Sequence, residues 1–99
     1  MTVSKKLDGA TLKVSLEGRL DTLSAPQLET EISEIPPGVT AVELDFANIA
    51  YISSAGLRVL LSTHKKMLMG GGTLTITNAV PAVREVFDIT GFSGILTLA

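Results

Sequence analysis

Ser53 and Ser54 are the residues of this chain best placed to do chemistry. They lie within residues 45–61, Asp-Phe-Ala-Asn-Ile-Ala-Tyr-Ile-Ser-Ser-Ala-Gly-Leu-Arg-Val-Leu-Leu. That stretch reads as the end of a buried strand, a short loop and the first turns of an amphipathic helix. The first backbone N–H groups of a helix have no partner within it, so a serine hydroxyl at the junction can accept one of them. The same groups leave the helix start partly positive, which favours a phosphoryl group. Two readings compete: a serine that caps the helix, and a serine displayed there so that a phosphoryl group can be added and removed. The physics alone favours the cap, since serine is among the commonest N-caps.

Other chemistries find less support. His64, the one histidine, falls on the apolar stripe of the helix, which fits a half-buried, hydrogen-bonded packing role. The chain has no cysteine, so no disulfide is possible, and one histidine alone makes no zinc site. Ser54-Ala55-Gly56 is half of a hydrolase elbow, but Ile52 stands where the first glycine is needed. His64 would also sit about 15 Å along the helix from Ser54, out of reach as its base. Gly70-Gly71-Gly72 ends a helix and is followed by no Gly-Lys-Ser/Thr, so it is not a phosphate loop. Arg58, four residues after Ser54, can reach a phosphoryl group there across one helical turn. With no acid–base pair in view, the expectation is a binding protein, not an enzyme, with no cofactor and no metal.

The elements that must position these serines can be read in order. Residues 3–7 and 11–17 form two strands joined at Asp8-Gly9, a strong hairpin signal. Leu12, Val14 and Leu16 alternate with Lys13, Ser15 and Glu17, which means one covered face and one wet face; Gly18 should end the strand. Ser24-Ala25-Pro26-Gln27 fits a capping box, with Leu23 and Leu28 as its apolar staple. The helix that follows buries Ala25, Leu28, Ile32 and Ile35 and stops at Pro36-Pro37-Gly38. Residues 39–46 form the central strand, with Val42, Leu44 and Phe46 on one face and Asp45 on the other, poised to bond loop N–H groups. The serine helix runs from Ser54 to about Met69. Its buried stripe is expected to be Leu57, Leu60, Leu61, His64 and Leu68, leaving Ala55, Val59, Ser62 and Lys66 on the opposite side. Residues 73–77 form a strand parallel to the central one. A last helix begins near Pro81, with Asn78 as its candidate cap, buries Val83, Val86 and Phe87, and ends at Gly91. Residues 95–98 add a short closing strand. Alternating strands, rather than continuous apolar runs, place the helices mainly on one face of a small mixed sheet.

Bulk properties narrow the function classes. Ninety-nine residues suffice for one small domain spanning 1–99, with 45% hydrophobic content and a net charge of −2. Basic residues are scattered, so neither a nucleic-acid footprint nor a membrane-attracting face is expected. No signal peptide or membrane span is evident, and the expected location is the cytoplasm.

Three motifs, in order, carry a family likeness over nearly the whole chain: Gly18-Arg19-Leu20-Asp21, then Tyr51-Ile52-Ser53-Ser54-Ala55-Gly56-Leu57, then Pro81-Ala82-Val83-Arg84-Glu85-Val86-Phe87-Asp88. Together they resemble the bacterial anti-sigma factor antagonists, which are STAS domains. The resemblance implies an α/β fold, a mixed sheet of four to five strands with helices mainly on one face. By motif position Ser54 is the phosphorylated serine, with Ser53 the alternative. Ser53 stands where the family most often has aspartate, and Ala55 where it often has a second hydroxyl. The implied partners are an anti-sigma factor that is also a serine kinase, bound by the unmodified form so that a sigma factor is released, and a metal-dependent serine phosphatase. Asp21 would help to engage the kinase or would simply cap the turn after it. The expected docking surface is Asp21 and Ser53 with Ala55, Arg58, Val59, Ser62 and Lys66. The competing function is a STAS scaffold or a sensor module that binds a ligand in another signalling assembly.

Overall fold

A computed structural model describes residues 1–99. Strand β1 (Thr2–Asp8) turns at Gly9 into β2 (Thr11–Leu20), and helix α1 (Ala25–Ser33) follows. Strand β3 (Ala41–Ile52) leads directly into helix α2 (Ser54–Met69), then β4 (Thr73–Thr77), α3 (Pro81–Thr90), a 3-10 turn (Phe92–Gly94) and β5 (Thr97–Leu98). The strands lie in sequence order, β1 and β2 antiparallel and every other neighbouring pair parallel. Gly9 has φ +61°, so the first central turn residue is left-handed, as a tight hairpin of this kind requires.

Alternation along the strands decides the layering. Leu12, Val14, Leu16, Val42, Leu44, Phe46, Leu74 and Ile76 all point to one face and are buried there with residues from the three helices. Lys13, Ser15, Glu43, Asp45 and Thr75 point to the other face, which stays open. The expected mixed sheet with helices on one side is what forms, with five strands. Phe87 of α3 meets Phe46 of β3 with ring centroids 6.2 Å apart, which pins the last helix to the sheet centre.

Several boundaries differ from the sequence reading. Gly18 does not end β2, which pairs on to Leu20, and β3 continues past Phe46 to Ile52. Between Ser15 and Glu17 of β2, β3 advances three residues, from Asp45 to Asn48; between Gly18 and Arg19 it advances two, from Ile49 to Tyr51. Each extra residue is a bulge that reverses the inward side. Buried positions therefore run Val42, Leu44, Phe46, then Ile49, then Ile52, a spacing that simple alternation conceals. No loop precedes α2, because Ser53 alone separates strand from helix.

The first helix starts differently too. Ser24 makes no cap hydrogen bond to its own helix. Instead Asp21 Oδ1 accepts from the N–H groups of Leu23 and Ser24, each at 3.1 Å, while Ser24 Oγ accepts from Asp21 N–H at 2.9 Å. This is a reciprocal capping box set three residues upstream of the expected one. Its flanking apolar pair is Leu20 and Ala25, both buried, whereas Leu23 is 90% exposed and staples nothing. Gln27, freed from the box, donates to the Met1 carbonyl. At the start of α3, Val80 is the N-cap; Asn78 takes φ +58° and donates to Asp45 Oδ1. The closing strand is shorter than expected, with Ile95 half exposed outside it.

Candidate functional site

The site grows from the adjoining ends of two parallel strands. Leu20 pairs with Ile52, and the next amide, Ser53 N–H, donates to Leu20 O at 2.9 Å. Asp21 and Ser53 therefore leave the sheet side by side. The helix must turn away at once, and Gly56 permits this. A Cβ there would lie 2.8 Å from Leu20 Cγ and 3.0 Å from both Ile52 Cγ1 and Leu20 O. The glycine of the serine motif lets the first turn of α2 rest on the end of β2 without a side chain between them.

The two serines divide their roles. Ser53 is the N-cap, with extended backbone, and its Oγ accepts from Gly56 N–H at 3.3 Å. Ser54 is the first helical residue, exposed, and its hydroxyl makes no hydrogen bond. Capping is thus done by one residue while the other is left free at the positive end of the helix. Asp21 does cap the turn that follows it. The hydrogen bond from Ser24 N–H is the chief reason its carboxyl lies below the ordinary aspartate value; those from Ser24 Oγ and Leu23 N–H and the nearby Arg19 add to this, and desolvation opposes it.

The predicted docking residues do not share one surface. Ala55, Arg58, Val59 and Ser62 gather along a groove of about 370 Å³ between α1 and α2, whose other wall is Thr22, Ala25, Pro26 and Glu29. Lys66 lies a further turn along α2, near its C-terminus, and does not line the groove. Val59 is 7% exposed, so it is a floor residue held by packing and not an open contact. The stripe of α2 is rotated accordingly: Gly56, Leu57, Val59, Leu60, Thr63 and Met67 are buried, Leu61 and His64 partly so, and Leu68 is exposed. Helix α1 covers one side of α2 that a sheet-facing pattern leaves unassigned. His64 is half-buried as expected, but its Nδ1 has no hydrogen-bond partner. Asp45 bonds Ala47 N–H at 2.9 Å and Asn78 Nδ2 at 3.2 Å on the open face of the sheet, away from the serines.

Sequence reasoning passed over Arg19 and Tyr51. They pair across β2 and β3, with the Arg19 guanidinium 4.3 Å from the centre of the Tyr51 ring, and they sit beside Asp21 and Ser53. Only the two bulges bring them into register, so no local pattern announces them. The groove has no metal-ligating cluster, and no helix is long and apolar enough to cross a membrane.

The likeness to known proteins is consistent along the chain. The profile of the family described as "Mlab, STAS domain" matches residues 3–97. BtrV of Bordetella bronchiseptica, which bears the provisional name of anti-sigma factor antagonist, is 40% identical over 95 residues, 95% of this chain and 81% of its own. The anti-sigma-B factor antagonist of Bacillus subtilis is 26% identical over 99 residues, all of this chain and 91% of its own. Among solved structures, the anti-sigma factor antagonist SpoIIAA in its unphosphorylated form superposes with a TM-score of 0.81 at 22% identity, covering 99% of this chain and 88% of that one. SpoIIAA of Bacillus in its phosphorylated form gives 0.76, also at 22% identity, covering 99% and 91%.

Proposed function

The chain belongs to the STAS domain family, with the anti-sigma factor antagonists, and from that premise we propose that it is a phosphorylation-controlled partner switch with Ser54 as its acceptor. Unmodified, it binds an anti-sigma factor that is also an ATP-dependent serine kinase, and a sigma factor is set free. The kinase moves the γ-phosphoryl group of ATP to Ser54 Oγ; the hydroxyl proton is released and ADP leaves. A metal-dependent serine phosphatase hydrolyses the ester, returning inorganic phosphate and the binding form. The protein supplies a surface and an acceptor, not catalysis, and acts in the cytoplasm.

The observation that carries this reading is the unequal use of the two serines. Ser53 is engaged by Gly56 N–H, and Ser54 is exposed and unbonded at the first helical position. A phosphoryl group on Ser54 adds about 1.5 to 2 negative charges without removing any structural hydrogen bond. The helix dipole tolerates that charge, so the fold survives and the partner surface changes. Burying such a group in an interface without a counter-charge costs several kcal/mol, enough to separate a modest complex. That SpoIIAA, a protein of the same fold, has a phosphorylated form supports the same conclusion. The docking surface joins part-buried Asp21, Ser53 and Ala55 at the start of α2 to the exposed Arg58 and Ser62 farther along it, with Val59 beneath.

Intact-mass spectrometry after incubation with ATP, magnesium and the cognate kinase tests this, with Ser54→Ala and Ser53→Ala in parallel. One phosphoryl group, lost only in Ser54→Ala, is the expected result. Loss only in Ser53→Ala would move the acceptor by one residue. No phosphorylation by a kinase that binds the protein would refute the switch and favour a scaffold.

A further inference from the structure

Arg58 is a cation that the unmodified protein leaves without an ion pair, since the ion pairs of the molecule engage Lys5, Lys13 and Arg19. It is exposed and lines the groove between α1 and α2, as does Glu29, yet the two form no ion pair across it. Ser54 and Arg58 are residues i and i+4 of α2, neighbours on the helix surface. Helical side chains lean toward the N-terminus, so the Arg58 stem can swing back over the turn that begins at Ser54. A phosphoryl group offers oxygens that a guanidinium can grip two at a time. The helix itself has less to offer, because Gly56 N–H is already shared with Ser53 Oγ.

We propose that Arg58 is the latch of the switch: when Ser54 is phosphorylated, the guanidinium leaves the groove and closes on the phosphoryl oxygens. This rests on the partner-switch reading and extends it to how the modification is sensed. The groove presents one cation and one anion before modification, and Glu29 alone afterwards. A partner that places a carboxylate against Arg58 thus loses its contact and meets an uncompensated negative charge in one step. Phosphorylation then rewrites the surface at the serine and in the groove together.

The test needs no kinase. Phosphoserine is inserted at position 54 during synthesis, and its second ionisation is followed by phosphorus NMR across pH in the otherwise native chain, Arg58→Gln, Arg58→Lys and Arg84→Gln. Asp21 and Arg19 at the end of β2 and Glu29 on α1 are the other charged groups around this end, and they are present in every variant. The latch predicts that Arg58→Gln raises the phosphoserine's second pKa by about 0.15 to 0.4 unit, the effect of one exposed helix-surface pair. Arg58→Lys keeps most of the native value, and Arg84→Gln, on α3, leaves it unchanged. A titration of Arg58→Gln that superimposes on the native curve overturns the latch, and so does an equal shift in Arg84→Gln. Failure of the kinase to modify Ser54 would bear on the partner-switch reading and would not move this titration.

Discussion

Replacing Gly56 by alanine sets two magnitudes against each other. Helix propensity alone makes alanine better than glycine by about 1 kcal/mol inside a helix. Against it, the new Cβ would meet Leu20 Cγ at 2.8 Å, and Ile52 Cγ1 and Leu20 O at 3.0 Å. Leu20 and Ile52 are 0% and 3% exposed, so neither side chain can swing into solvent. Leu20 O is also held by Ser53 N–H at 2.9 Å, and moving it weakens a bond worth about 1 kcal/mol. Overpacking of a rigid core site costs about 1 to 3 kcal/mol. The sum favours glycine: Gly56→Ala should lose about 1 to 2 kcal/mol in urea unfolding, or about 5 to 15 °C in Tm for a domain of this size. Gly70→Ala is the control, because its Cβ would find only ordinary contacts at 3.7 and 3.8 Å and its φ is −87°; it should be neutral or slightly stabilising. A Gly56→Ala protein as stable as the native one would refute the close approach of α2 to β2.

Ser53→Ala should lose about 0.5 to 1 kcal/mol in the same assay, the value of an N-cap, whereas Ser54→Ala should leave stability unchanged because its hydroxyl bonds nothing. Equal losses would remove the division of labour between the serines. The lowered pKa of Asp21 contributes stability that is present above the unfolded aspartate value of about 3.9 and is lost as pH falls through the lower folded value. Asp21→Asn keeps a capping oxygen but cannot ionise. Its Tm should therefore fall below that of the native protein near neutral pH and converge with it in acid, once pH has fallen through the lowered folded value; parallel Tm curves across that range would show that the charge contributes nothing.

Much of this fold is legible locally. Apolar alternation in Leu12, Val14 and Leu16 names a face because neighbouring strand residues point to opposite sides regardless of context. Gly9 marks a hairpin because its backbone conformation is one that few other residues adopt. Pro36-Pro37-Gly38 and Gly91 end helices for equally local reasons. The legibility fails where two elements compete for one residue. Ser24 is as good an N-cap as Asp21 on composition, and only the position of Leu20 at the strand end makes Asp21 the first residue that can turn. Val59 and Leu68 are both apolar, and only the placement of α1 buries the first and exposes the second.

By itself the sequence determined the order of elements, the sidedness of the sheet, the small residue at the start of α2 and the pair of serines beside it. Those features follow from the repeat of each element and from the few residues that can cap or turn a chain. Tertiary structure alone decided which serine is used as the cap and which is free, that Asp21 is committed to a capping box, and that Arg19 and Tyr51 stand next to the site. Each of these depends on the register between β2 and β3, where two bulges shift the partners by one residue each. Register is a property of two strands together, and neither carries it alone.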